Sequence, residues 1–268
     1  MTEKRISTGS SLLNTLLNGG YESDVVTTVY GPSGSGKTNL CLVCLATMLK
    51  TGKKVVLIDT EGGFSLSRLE QILPEFKQYL ENILILKPTN FTEQKRAFEK
   101  LQHVITDDVG LILVDSISML YRLELGKTED IYQVNRALGQ QIGILTEIAR
   151  KKGIPILLTN QVYSSFDEAE KVNMVGGDIL KYGSKCLLEL EKFHGSKRKI
   201  VVKKHRSLPE GKNVMFDIIQ EGITGSEKRD AVPASTPVVE EKKESEVKQE
   251  QKENQEPSLE SEKITTTQ

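Results

Sequence analysis

The chain has no tryptophan, only three cysteines and three histidines, and almost no net charge. Each shortage excludes something. Cys41, Cys44 and Cys186 are an odd number, in a chain of 268 residues that is long enough to stabilise itself through its own core, so a disulfide framework is excluded. Such cysteine usage fits a reducing, cytoplasmic compartment. Cys41 and Cys44 have the C-x-x-C spacing of a redox or zinc half-site. They lie inside LCLVCLATML, however, where helical spacing places both thiols on an apolar face. His103, His194 and His205 are scattered without a ligand pattern, and no zinc site is expected. No run approaches the roughly 18 apolar residues of a membrane span, and MTEKRISTGSSLL lacks the apolar stretch of a secretory signal. No membrane partner is expected.

The formal net charge of −1 is an average over unlike parts. Residues 226–268 hold 11 acids and 7 bases, a net of −4, whereas residues 1–225 hold 29 bases and 26 acids, a net of +3. The last segment has no aromatic residue and three prolines, and it cannot bury enough surface to offset the entropy of ordering. The expected organisation is one globular domain over 1–225 and an acidic, disordered tail over 226–268.

Within the domain, β-branched and apolar runs alternate with helical periodicity. VVTTVY (25–30), KVVLID (54–59), NILIL (82–86), LILVD (111–115) and IPILLTN (154–160) read as strands, most of them apolar on both faces. Segments 38–50, 66–72, about 92–106 and 131–152 read as helices between them. That order implies a parallel sheet with helices on both faces. After Gly183 the pattern changes to KCLLELEKF, KRKIVVKK and VMFDIIQ, joined by HGS and SLPEGK. Short connections join antiparallel strands, so the sheet should end in hairpins.

GPSGSGKT (Gly31, Pro32, Ser33, Gly34, Ser35, Gly36, Lys37, Thr38) matches G-x-x-x-x-G-K-[ST] in full and lies between a strand and a helix. In such a loop the backbone N–H groups turn inward around phosphate oxygens, and the helix N-terminus adds partial positive charge. Lys37 would reach the terminal phosphates and Thr38 would ligate Mg²⁺. A second metal contact should be an acid closing a neighbouring strand. Asp115 is the first candidate and Asp59 its rival. Glu61, two residues past Asp59, is placed to take a proton from a water attacking the terminal phosphate. Asn160 and Gln161 end another strand on the same edge, where open α/β sheets bind ligands, and Gln161 is a candidate phosphate sensor. TNQV does not supply the N-K-x-D guanine reader, so adenine is the expected base.

Together with ISTGSSLLNTLLNGG, VVLIDTEGGFSLSRL, LILVDSISMLYR, ILLTNQV and KKHRSLPEG, these segments resemble the RecA/RadA recombinase superfamily over roughly residues 5–224. Within it they are similar to the short archaeal paralogues of RadA. The resemblance implies a RecA-like P-loop ATPase core: a mostly parallel twisted sheet, helices on both faces and C-terminal antiparallel hairpins. It implies ATP and Mg²⁺ as cofactors. It assigns phosphate and metal roles to Lys37 and Thr38, water activation to Glu61, adenine stacking to Arg68, the second metal contact to Asp115, and a link between nucleotide state and the second DNA loop to Gln161. It further implies an accessory role in homologous recombination and DNA repair, with weak ATPase activity and no strand exchange. The implied partners are DNA (single-stranded above all), a RadA-type recombinase and a Holliday-junction nuclease.

Departures from full recombinases shape this reading. The domain begins almost at Met1, so the helical N-terminal DNA-binding domain and the linker with its aromatic-x-x-Ala peptide are expected to be absent. The second DNA loop, about 162–177, carries Lys171 against Asp167, Glu168 and Glu170, a poor composition for neutralising phosphates. The densest basic stretch runs from Lys192 to Arg206 and includes Lys197, Arg198, Lys199, Lys203, Lys204, His205 and Arg206, with no acid. It is the expected DNA-binding segment, unless its lysines only guard an edge strand or reach a neighbouring subunit's nucleotide. Arg122 and Lys127 are weaker candidates. Phe193 and Tyr163 are more readily read as packing residues than as base-stacking ones. An active DNA-dependent ATPase recombinase and a KaiC-like signalling ATPase without DNA remain the competing readings. If the acidic tail screens the basic stretch, truncation after Gly225 should tighten DNA binding at low salt in a fluorescence-anisotropy titration, and an unchanged affinity would remove the tail as a competitor.

Overall fold

The computed structural model of the chain describes residues 4–164 and 172–226. The tail beyond Ser226 and the second-loop residues Asp167, Glu168, Glu170 and Lys171 lie outside the described residues. The chain opens with strand β1 (Arg5–Ile6), helix α1 (Ser11–Leu16) and strand β2 (Tyr21–Glu22), then enters strand β3 (Val26–Tyr30) and helix α2 (Lys37–Leu49). Strand β4 (Lys54–Asp59), helix α3 (Leu66–Ile72), a 3₁₀ turn (Phe76–Asn82) and strand β5 (Ile83–Leu86) follow. Next come helix α4 (Phe91–Val104), strand β6 (Val109–Asp115), helices α5 (Met119–Leu125) and α6 (Ile131–Lys152), and strand β7 (Ile156–Asn160). A small ribbon of β8 (Val162–Ser164) and β9 (Val172–Met174) leads to helix α7 (Gly177–Gly183). Strands β10 (Cys186–Lys192), β11 (Lys197–Lys204), β12 (Asn213–Ile219) and β13 (Gly222–Gly225) complete the described chain.

The main sheet has nine strands in the order β13-β12-β11-β10-β3-β7-β6-β4-β5. From β10 to β5 all neighbours are parallel, and β10 to β13 are antiparallel hairpins. The α/β architecture expected from the sequence is therefore present, with β13 as an added edge strand. Side chains alternate across the sheet as a period of two requires. Val55 and Leu57 of β4 face α1, α2 and α3 in one core, whereas Val56 and Ile58 face α4, α6 and α7 in the other. The two apolar layers leave only the strand ends for polar chemistry. Because β3, β4, β6 and β7 run parallel, their C-terminal ends (Tyr30, Asp59, Asp115 and Asn160) emerge on one edge. Among the described residues no helix is long and apolar enough to cross a membrane.

The hairpins belong to the core. Ile200 and Val202 of β11 and Phe216 of β12 are fully buried with the α2 layer. Phe216→Ala should therefore cost about 3–5 kcal/mol, the usual range for a buried phenylalanine, measured by denaturant unfolding. A loss below about 1 kcal/mol, the scale of surface substitutions, would show the hairpins to be peripheral.

Candidate functional site

The loop between β3 and α2 is shaped by close backbone approach. A Cβ on Gly31 would sit 2.4 Å from the Leu190 carbonyl oxygen, and Gly36, the N-cap of α2, has φ 102°, a conformation side chains disfavour. The Lys37 ammonium folds back and donates to the carbonyls of Gly31 (2.9 Å) and Pro32 (3.0 Å). Desolvation lowers its pKa, opposed by the Glu61 and Asp115 charges. The Thr38 hydroxyl donates to Asp115 Oδ2 at 2.7 Å, and Thr159 on β7 donates to the other carboxylate oxygen. Asp115 is buried, and that burial raises its pKa against these two hydrogen bonds. An alcohol and a carboxylate held together at a helix N-terminus form the hard-oxygen donor set that suits Mg²⁺, so the residues present fit that ion. Asp59 is occupied differently, because its carboxylate accepts the N–H groups of Gly63 (3.0 Å) and Phe64 (3.2 Å). It shapes the turn that presents Glu61 rather than facing Thr38.

Glu61 and Gln161, 100 positions apart in the sequence, meet over the cleft, where Gln161 Nε2 donates to Glu61 Oε1 at 2.8 Å. The main chain of Gln161 is fixed as well. Its N–H donates to the Ser118 hydroxyl at 3.1 Å and its carbonyl accepts Val175 N–H at 3.0 Å. Val175 directly follows β9, so Gln161 ties the cleft to the base of the β8–β9 ribbon. Asn160 is buried and donates to the Val175 carbonyl. The cleft measures about 620 Å³, and Arg122 lines it opposite the loop.

Ser33 and Gly34 line the same cleft, and Ser35 is buried beneath it. Arg68 lies beside the first turn of α2, where its Nε donates to Asn39 at 2.8 Å. Its terminal nitrogens donate to Gln71 and to the carbonyls of Ile219 and Gln220. The guanidinium is thus fixed along its edge, and the faces of such a planar group remain the surfaces available for stacking.

The residues of the basic segment differ in burial and in partners. Arg198 is only 8% exposed and reaches the phosphate loop, donating to the Gly34 carbonyl at 3.0 Å. The reason is the strand period: Arg198 shares its face of β11 with buried Ile200 and Val202. The His205 imidazole is 2% exposed, and its Nε2 lies 3.9 Å from Glu22, itself 1% exposed. Arg206 pairs with Glu22 at 3.0 Å and with both oxygens of Asp24 at 2.8 and 2.9 Å. Arg5 joins the same buried carboxylate at 3.3 Å. These residues lock the β1–β2 ribbon to the end of β11. Lys199 and Lys203 remain at the surface but pair with Glu191 (3.2 Å) and Glu189 (3.3 Å). Lys204 donates to the carbonyls of Lys181 and Ser184, and Lys197 is exposed. Phe193 and Tyr163, read as packing residues, are about half exposed, at 45% and 53%.

Sequence reasoning missed Thr159 and Ser118, which hold Asp115 and Gln161. The threonine before the closing asparagine of ILLTN was a visible signal. Arg198 was also legible, as the member of the Arg198-x-Ile200-x-Val202 alternation that falls on the apolar face.

A phosphate loop at the end of one parallel strand, with an acid, a glutamate and a glutamine on the ends of its neighbours, defines a P-loop ATPase core of the RecA type. The Rad51 family model matches residues 3–226, and the chain belongs to that family, in its RadB branch. It is 44% identical over 226 residues to the DNA repair and recombination protein RadB of Methanobrevibacter smithii, covering 82% of this chain and 95% of that one. With the protein of the same description from Methanococcus maripaludis it shares 42% over 214 residues, 79% and 97% of the two chains. A solved structure described as the crystal structure of the RadB recombinase superimposes with a TM-score of 0.70 at 38% identity, covering 82% of this chain and 99% of the other.

The hydrogen bonds from Arg206 hold the Asp24 carboxyl below its usual pKa. A depressed carboxylate contributes stability above its unfolded value, near 3.9, and loses it as pH falls through the folded value. Arg206→Ala should therefore flatten the decline in stability below about pH 4. At neutral pH it should cost about 1–3 kcal/mol, less than a fully buried pair would because the guanidinium is partly in water. Unfolding midpoints across that pH range measure both effects, and an unchanged acid slope would contradict the assignment.

Proposed function

We propose that the chain binds ATP with Mg²⁺ at the Gly31–Thr38 loop, hydrolyses it slowly, and serves DNA repair and recombination as an accessory to a RadA-type recombinase. The observation that carries this reading is the juxtaposition of the Thr38–Asp115 pair at 2.7 Å with the Glu61–Gln161 pair at 2.8 Å around one phosphate loop. On binding, Lys37 exchanges the Gly31 and Pro32 carbonyls for phosphate oxygens, and Thr38 and Asp115 hold the metal. Bound Mg²⁺ supplies charge neutralisation for the phosphates. Glu61 takes the proton of the attacking water. Glu61 Oε1 accepts a bond from Gln161, so that contact must open for this oxygen to meet the water, and the slow rate rests on the family resemblance. Arg68 stacks on adenine.

DNA as a partner is supported by the relatives described as DNA repair and recombination proteins RadB. On this chain the DNA-binding surface narrows to Lys197, Lys199 and Lys203 on the outer face of β11, with Lys204 at its end. The net charge offered there is small, because Glu189 and Glu191 pair with two of these lysines. The RadA-type recombinase and the Holliday-junction nuclease rest as partners on the family resemblance. The active-recombinase reading keeps one observation in its favour, the description of the solved relative as the RadB recombinase.

The test is ATP turnover and DNA binding by the wild type and Lys37→Ala, with and without single-stranded DNA and the cognate RadA. Lys37→Ala should abolish turnover, and DNA should change the wild-type rate little. Strong DNA-stimulated turnover with strand exchange would overturn the accessory role, and no DNA binding at low salt would favour the signalling reading. Joint substitution of Lys197, Lys199 and Lys203 by Ala should lower the salt dependence of single-strand binding by about 2 in log–log slope, at about 0.7 per phosphate contact. An unchanged slope would remove them from the interface.

A further inference from the structure

Among the described residues Arg198 is a buried cation without a buried anion. Its Nη1 donates to the carbonyls of Gly195 and Lys197, each at 2.8 Å, and its Nη2 to the carbonyl of Gly34 at 3.0 Å. Its Nε is buried with no hydrogen-bond partner among the described residues. No carboxylate pairs with it among the described residues, unlike Arg206 just past the end of the same strand, which has Glu22 and Asp24. A second cation stands nearby: Lys192 Nζ lies 3.5 Å from where a Cβ on Gly34 would be. Burying an ionised group without a counter-charge is costly; the three carbonyls relieve part of that cost, and an anion bound in the cleft would relieve more.

The position indicates which anion. Arg198 lines the cleft of Gly31, Gly34, Lys37 and Thr38. A phosphate loop works only while its peptide units keep their N–H groups turned toward the phosphate. Gly34 sits in the middle of that loop at φ 71°. Its carbonyl is held by Arg198, through a charge-assisted bond stronger than a neutral one. We infer that Arg198 is a positioning residue for nucleotide binding, clamping the Gly34 carbonyl so that the loop keeps its phosphate-binding shape, with its own buried charge countered by the polyphosphate of a bound nucleoside di- or triphosphate. The clamp comes from the same chain that carries the loop and from the β10–β11 hairpin, so the occupied cleft and the basic hairpin are one electrostatic unit. This deepens the proposed nucleotide reading and rests on it.

The experiment compares the full chain with Arg198→Gln and Arg198→Lys by thermal unfolding with and without MgATP or MgADP, and by direct titration with a fluorescent ATP analogue. The unliganded Arg198→Gln chain should melt no lower than the wild type, because it loses an uncompensated charge. Its affinity for the triphosphate should fall about tenfold, the scale of one hydrogen bond to a charged group. Arg198→Lys, which keeps the charge but has no fork to hold three carbonyls, should recover part of that loss. Should Arg198→Gln fail to fold or melt well below the wild type without ligand, the arginine is a structural strut and the inference is overturned. Wild-type affinity in both variants would overturn it as well. The wild-type arm separates the two levels of the argument: if MgATP does not stabilise the unsubstituted chain, the nucleotide reading itself fails, and this inference with it.

Discussion

A strand with apolar side chains on both faces must be covered on both, and the only place left for polar chemistry is its end. The central strands β3, β4, β6 and β7 obey this constraint, with both their faces given to the two cores. They are parallel, so their ends share an edge, and residues distant in sequence arrive there together. Asp115 can accept from Thr38 and Thr159 because β7 lies between β6 and β3, and one carboxylate then spans the gap. The site follows from the sheet: the Gly31–Thr38 loop stands at the end of β3, and Asp115, Glu61 and Gln161 come from the ends of the strands alongside.

The cleft is crowded with charges that are not paired in direct salt bridges among the described residues. Lys37 and Arg198 line it with carbonyls as their partners, and Asp115 is buried close to Glu61 and Asp59, whose charges add to the rise in its pKa. Such an arrangement would suit a ligand that carries both kinds of countercharge, as a polyphosphate with a divalent ion does. The β1–β2 corner shows the opposite policy: there Arg5, Arg206 and His205 converge on Glu22, and the charges largely satisfy each other.

Much of this was legible in the sequence, for reasons that differ by element. KVVLID and LILVD declared themselves as buried strands because nothing else tolerates such runs flanked by turn residues. The helices at 66–72 and 131–152 had enough turns, or clear enough stops, for their period to show. Helices α1, α5 and α7, of six or seven residues, are too short for periodicity to separate them from loops. The phosphate loop was readable because its chemistry is local. The basic segment was harder to read because its chemistry is not. Composition counted its cations, but the pleat sends Arg198 inward, and the acids that claim Arg206 lie 182 and 184 positions away. Asp115 and its rival Asp59 both close strands, and the turn at Gly63 and Phe64 claims the second of them.

Strand β11 is anchored at both ends by groups of one sign, at the phosphate loop through Arg198 and, just past its end, at the N-terminal ribbon through Arg206. Between them the outward or inward sense of every side chain is fixed by parity, with one bulge where Leu187 and Leu188 pair with Lys204 and Val202. The segment from Arg198 to Val202 therefore has no tolerance for a change of length. A single inserted residue would turn Arg198 to solvent, drive a lysine into the α2 layer and release the loop's carbonyl at once. A stretch that looks like an interchangeable run of lysines is, in its geometry, among the least elastic parts of the chain.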